Sequence, residues 1–169
     1  MAIKVGERVP DATLYEFFEE ASGGCALGPN AFSVAELTAG RRIVVFGLPG
    51  AFTPTCSAKH VPGYVEHIQA FRDKGIDEVW CVSVNDAFVM GAWARDQGSA
   101  GAVRMFGDGA AEFTRKLGLD QDLSARGMGV RSQRYAMLLD DGVVKLLHVE
   151  APGKFEVSDA ESMLKALPA

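Results

Sequence analysis

The chain has 169 residues, of which 48% are hydrophobic and 23% charged, a composition that suits one globular domain over residues 1–169 and excludes a disordered protein. Seventeen Lys and Arg against 22 Asp and Glu give a formal net charge of −5, so the basic excess that nucleic acids or an anionic membrane would require is missing. Three cysteines cannot form a disulfide scaffold, none belongs to a C-x-x-C pair, and neither a signal-peptide pattern nor a membrane-spanning run is present, so a reducing, cytoplasmic home is expected.

In chain order, residues 13–19 read as an aromatic-rich strand and residues 21–30, with Ser22-Gly23-Gly24 and Gly28-Pro29-Asn30, as a loop. Residues 41–48 carry Ile43-Val44-Val45-Phe46, the continuous apolar run of a strand buried on both faces, and end at Pro49-Gly50. From Pro54 a helix follows with Val61, Tyr64, Val65, Ile68 and Phe71 at helical spacing, kinked or split at Pro62-Gly63. A second buried strand spans residues 79–84. Asn85 or Asp86 then caps a helix with Phe88, Val89, Ala92 and Trp93 on one face, followed by a loop at 98–101 and a short strand at 103–106. A helix through Phe113 and Leu117 closes at Gly118, and a polar loop occupies residues 124–132. Two apolar runs, 135–139 and 143–149, flank Asp140-Asp141-Gly142, a strong hairpin signal. The last helix opens on Ser158-x-x-Glu161, a capping box, and carries Met163, Leu164 and Leu167. The alternation β-α-β-α-β-α-β-β-α calls for an α/β protein with a mixed central sheet flanked by helices, and a thioredoxin-like sheet meets that description.

Chemistry concentrates in Pro49-Gly50-Ala51-Phe52-Thr53-Pro54-Thr55-Cys56, between a buried strand and a helix start, where open α/β sheets place their sites. With Pro54 at the first helical position, Thr53 becomes the N-cap and Cys56 falls at N3. The capping hydroxyl then lies close to the Cys56 sulfur, while free N–H groups and the positive helix end favour a thiolate. The competing reading is a buried cysteine acting as a small hydrophobe. That bland reading prevails for Cys81, inside Val79-Trp80-Cys81-Val82. Cys25 sits in the Gly-rich loop without any activating feature. His60, one turn beyond Cys56, could assist a thiolate or supply half of a metal site. No second ligand pair of zinc spacing exists, so His60 reads as a helix-surface or hydrogen-bonding residue and no metal is expected. Gly47–Gly50 lacks the endings of a phosphate loop.

The stretch from Pro49 to Ser57 resembles the active-site signature of the peroxiredoxins, in particular of their type II (peroxiredoxin-5-like) branch. Lys59-His60-Val61-Pro62-Gly63, Ser83-Val84-Asn85-Asp86-Ala87-Phe88-Val89-Met90, Arg134-Tyr135-Ala136-Met137 and Asp141-Gly142-Val143-Val144 resemble that branch in order and spacing. The resemblance implies a thiol-dependent peroxidase on a thioredoxin fold, without cofactor, acting on hydrogen peroxide and alkyl hydroperoxides. Cys56 matches the peroxidatic cysteine, Thr53 and Pro49 the threonine and proline of its signature, and Arg134, with Arg131 as its local rival, an arginine from a later strand. Pro49, Gly50, Phe52 and Thr55 are then expected to line the peroxide site.

Animal members of the branch that resolve the oxidised cysteine internally use a cysteine near the carboxyl end, and residues 150–167 contain none. Cys81 matches a cysteine of plant-like members. Its strand context argues against easy contact with Cys56, so an external thiol is expected: glutathione recycled by glutaredoxin, or thioredoxin. The resemblance further implies a homodimer, which the apolar Phe52 and Phe88 are placed to support. Two other classes stay open, a thiol–disulfide oxidoreductase, disfavoured by the missing C-x-x-C, and a redox sensor or chaperone-like binder switched by Cys56 oxidation.

Overall fold

The computed structural model of the chain describes residues 1–17 and 29–168. Cys25, most of the expected glycine-rich loop and the end of the first expected strand lie outside the described residues. In chain order, β1 (Thr13–Glu16) and β2 (Asn30–Ser33) precede a short α1 (Val34–Thr38) and β3 (Arg42–Leu48). A π-helical turn, Cys56–His60, leads into α2 (Val61–Glu66) and α3 (Ile68–Asp73). There follow β4 (Glu78–Ser83), α4 (Ala87–Gln97), β5 (Val103–Gly107) and α5 (Glu112–Leu117). A small hairpin of β6 (Asp120–Asp122) and β7 (Val130–Ser132) precedes β8 (Tyr135–Asp140), β9 (Val143–Val149) and α6 (Ala160–Ala166).

Seven strands form one mixed sheet in the order β2-β1-β5-β4-β3-β8-β9. β3, β4 and β5 are parallel, whereas β8 runs antiparallel to β3, β9 to β8, and β1 to β5. Side chains of β3 alternate between two cores, as a strand covered on both faces requires. Val44, Phe46 and Leu48 join Tyr64, Phe71, Met90, Trp93 and Met163 under α2, α3, α4 and α6. Ile43 and Val45 join Val34, Trp80, Phe106, Phe113 and Tyr135 under α1 and α5. This is the thioredoxin-like arrangement expected from the order of elements. The β8–β9 hairpin turns at Asp141 (φ 50°) and Gly142 (φ 77°), the two left-handed positions that an Asp-Gly turn supplies.

Several local expectations are corrected. Asn30 pairs with Glu16 as the start of β2, although its Gly-Pro-Asn context reads as loop; pairing with β1 overrides composition. The helix after Cys56 breaks at His67 (φ −96°, ψ 11°) and not at Pro62-Gly63; Pro62 falls where the π-helical turn passes into α2. In α4, capped by Asp86, the inward residues are Ala87, Met90 and Trp93, while Phe88 is half exposed and packs at a tilt against Phe17 instead, ring centroids 5.0 Å apart. Residues 124–132, expected as loop, contain a 3-10 turn and β7, which pairs with β6. The N-cap of α6 is Asp159, whose carboxylate accepts from Ser162 N–H; the Ser158 hydroxyl donates to Glu150 and makes no capping box.

Candidate active site

The chain leaves β3 at Leu48 and turns through Pro49 and the buried Gly50. A side chain at position 50 would meet Arg131 Nη1 at 3.0 Å and Thr53 Cγ2 at 3.2 Å, so only glycine fits without displacement. Ala51 N–H donates to Asn85 Oδ1 (3.0 Å), which also accepts from the Ser83 hydroxyl, so the end of β4 pins the loop. Phe52 then adopts φ 63° and stands half exposed, an unusual backbone for an aromatic residue. Ser57 N–H donates to the Thr53 carbonyl (2.9 Å), which starts the helix with Pro54 in its first position as expected. The Thr53 hydroxyl does not bond back into the helix; it donates to the Gly50 carbonyl at 2.7 Å. Its lone pairs stay free of any partner within the helix, and Thr53 itself is partly buried. Thr55 is partly buried one residue before Cys56.

At Cys56 the backbone widens. Val61 N–H reaches the Cys56 carbonyl, five residues back, which makes residues 56–60 a π-helical turn of the kind that marks functional sites. Cys56 and His60 are both fully buried on its inner side, so the expectation of a helix-surface histidine is corrected, while its hydrogen-bonding role stands. Arg134, just before β8, places Nη2 at 3.2 Å from Cys56 Sγ and Nη1 at 2.7 Å from His60 Nδ1. Arg131 instead bonds the Met128 carbonyl (2.9 Å) and the Pro49 carbonyl (3.4 Å), so it braces the loop and leaves the sulfur to Arg134.

A guanidinium can only donate and a carbonyl can only accept, which fixes the proton of His60 on Nε2, facing the Ser158 carbonyl at 3.1 Å. The Tyr64 hydroxyl donates to that same carbonyl (2.7 Å). Burial, reinforced by the Arg134 charge, lowers the His60 pKa to about 3, so the ring is a neutral acceptor for the arginine. Cys81 lies fully buried in the middle of β4, across from Phe46 of β3, and burial pushes its thiol well above the ordinary range, with Cys56 adding to the effect. Among the described residues no group of three or more His, Cys, Asp or Glu is arranged to hold a metal ion. The sequence reading missed Asn85 as the loop anchor and the partners of His60; buried polar residues flanking the signature were the only available signal.

A buried thiol at a strand-to-helix junction, an arginine aimed at its sulfur and a thioredoxin-like sheet define a thiol enzyme. The Redoxin family profile matches residues 4–164. Peroxiredoxin-2E-2, chloroplastic, of Oryza sativa is 54% identical over 98% of this chain and 72% of its own. A solved structure of reduced Prx3 in complex with hydrogen peroxide from Vibrio vulnificus is 48% identical, covers 98% of this chain and 99% of its own, and has a TM-score of 0.90. A Burkholderia cenocepacia structure, provisionally described as a thioredoxin reductase, is 67% identical over the whole of both chains with a TM-score of 0.96. This chain has neither the C-x-x-C pair of a dithiol reductase nor the G-x-G-x-x-G turn of a dinucleotide site. The chain belongs to the redoxin family and, within it, to the type II peroxiredoxins. It is a thiol-dependent peroxidase.

Proposed function

We propose that Cys56 is the peroxidatic thiol for hydrogen peroxide and alkyl hydroperoxides, with Thr53 and Arg134 as its catalytic partners and Pro49, Gly50, Phe52 and Thr55 lining the peroxide site. The observation that carries this reading is the 3.2 Å contact between Arg134 Nη2 and Cys56 Sγ. A guanidinium there favours the thiolate and stabilises charge building on the peroxide. The thiolate lone pair attacks one peroxide oxygen, the O–O bond breaks, and the other oxygen leaves with a proton as water or alcohol, so that Cys56 becomes a sulfenic acid. An external thiol then attacks that sulfur, releasing water and forming a mixed disulfide, which a second thiol reduces.

Glutathione recycled by glutaredoxin fits this second half better than an internal disulfide. Cys81 is held between β3 and β5 with no exposed surface, so bringing it to Cys56 would cost core packing, whereas the π-helical turn is a short element that can open. Thioredoxin is the competing reductant. The exposed Phe52 and Phe88 support a homodimer, each more than half exposed in the single chain. The free thiols at Cys56 and Cys81 suit a reducing compartment such as the cytoplasm. The test is intact mass after one equivalent of peroxide, with and without glutathione. A glutathione adduct on Cys56 is expected; a Cys56–Cys81 disulfide as the main product, with turnover lost in Cys81→Ser, overturns the external-thiol cycle.

A further inference from the structure

Behind Arg134 lies a buried carboxylate for which the reaction so far has no use. Glu150, the first residue after β9, is 7% exposed. Its Oε2 accepts from Glu156 N (2.9 Å), Val157 N (2.9 Å), Ser158 N (2.8 Å) and the Ser158 hydroxyl (2.7 Å), while Oε1 accepts from Glu156 N at 3.0 Å. Burial raises its pKa, but these donors outweigh burial and hold the carboxyl below the usual glutamate range, so it is a permanent anion near neutral pH. Through its own N–H, Glu150 also bonds the Arg134 carbonyl at 2.9 Å.

These contacts close a ring. The Arg134 backbone is tied to Glu150, the Glu150 carboxylate holds Ser158, the Ser158 carbonyl faces His60 Nε2, and His60 Nδ1 returns to the Arg134 side chain. The loop that Glu150 folds also sets the Phe155 ring 5.0 Å from the His60 ring and 5.6 Å from Arg134 Cζ. A carboxylate that only closed a surface loop would not need its hydrogen-bonded ring to run through both nitrogens of the one imidazole that orients the active-site arginine.

We propose that Glu150 is a positioning residue for the peroxidase reaction: by holding the Ser158 carbonyl against His60 Nε2 it fixes the tautomer whose Nδ1 lone pair aims Arg134 at Cys56. This rests on the roles given above to Cys56 and Arg134. The titratable and charged groups facing His60 are Arg134 from the start of β8, Glu150 from the end of β9, Tyr64 from α2 and Cys56 from its own turn. Losing the Glu150 anchor leaves the Ser158 carbonyl held by the Tyr64 hydroxyl alone, so that it shifts, the ring exchanges its proton between nitrogens, and the guanidinium leaves the sulfur.

The experiment combines two variants with the wild type. Glu150→Gln keeps the size of the side chain and removes its charge; Ser158→Ala keeps the carbonyl and removes one bond to Glu150. Peroxide oxidation of Cys56 is followed by stopped flow across pH, folding by urea titration, and the His60 ring by long-range proton–nitrogen spectra. In wild type the proton is expected on Nε2. Glu150→Gln is expected to slow oxidation at least about tenfold, since small misplacements of a reacting group cost up to a hundredfold, and to displace the pH–rate profile to higher pH. Ser158→Ala moves both in the same direction by less. A folded Glu150→Gln with rate and profile within twofold of wild type, or a wild-type His60 protonated on Nδ1, overturns the proposal. If Glu150→Gln does not fold, a folded Ser158→Ala with an unmoved profile overturns it equally. Peroxide turnover by Cys56→Ser would instead sink the underlying assignment of the thiol, whatever Glu150 does.

Discussion

Cys56 and Cys81 are both free, both without exposed surface and both members of the same apolar cluster. They differ in what the backbone around them can do. Cys81 sits in the middle of a strand whose hydrogen bonds are taken by β3 on one side and β5 on the other, and burial first, then the Cys56 sulfur, disfavours its ionisation. Cys56 sits in the first turns of a helix widened into a π turn and receives a guanidinium N–H. Burial therefore does not decide whether a thiol reacts. The donors within 3–4 Å and the freedom of the local backbone do.

The largest effect that separates the two sites is expected from Cys56→Ser, which abolishes peroxide consumption with every thiol donor, while Cys81→Ser keeps most glutathione/glutaredoxin-supported turnover. Measured turnover by the first variant, or its loss in the second, breaks the contrast. Next, Arg134→Ala slows Cys56 oxidation by about a hundredfold, the usual consequence of losing one transition-state donor; a rate within twofold of wild type in the folded protein would shift the role to Arg131 or remove it.

An acid-stability effect follows from the shell of the Cys56 site. His60 stays neutral in the fold but takes up a proton near its ordinary value of 6.5 when the chain unfolds. Its contribution is therefore complete above pH 6.5 and is lost as pH falls towards about 3. Urea unfolding at pH 5 is expected to give about 2 kcal/mol less stability than at pH 6.5, and His60→Gln to flatten that difference. An equal slope in the variant would place the titration elsewhere. Thr53→Val is expected to slow oxidation about tenfold, since the hydroxyl that ties the loop to the Gly50 carbonyl and offers its lone pairs to the peroxide is removed while the Arg134 contact stays. The smallest effect is Cys81→Ala, which leaves the oxidation rate alone and costs about 1 kcal/mol of stability for the core volume lost.

The thiol was legible in the sequence because everything that marks it is local: a buried apolar run, Pro54 at a helix start and a cysteine two residues on. The same locality made the parallel β3, β4 and β5 and the Asp141-Gly142 hairpin readable. The shell around the thiol was not, because its members converge from far apart; Ser158 lies 98 positions from His60, and Arg134 lies 78 from Cys56. The resemblance to known peroxiredoxins, together with its place beside the apolar run 135–139, singled out Arg134 over Arg131. The π turn has no propensity signature that separates it from an α-helix. Phe88 misled because periodicity marks an apolar face without saying whether the core or another aromatic, here Phe17, receives it. Ser158 offered the correct residue types for a capping box, but a buried carboxylate outcompeted the helix for its hydroxyl.

One contact of the reactive turn has an optical consequence. The Trp93 indole N–H donates to the hydroxyl of Ser57, the residue next to Cys56, at 3.0 Å, and its ring lies 6.2 Å from that of Phe52. In the external-thiol cycle proposed above, both neighbours belong to the segment that loosens for a bulky thiol to reach the sulfur. Trp80, by contrast, belongs to the core on the opposite face of the sheet. If the turn opens in that cycle, Trp93 is expected to exchange a protein acceptor for solvent and its emission to shift to longer wavelength, while Trp80 is expected to be unaffected. In a Trp80→Phe background, the chain is its own fluorimeter for the interval between oxidation and repair.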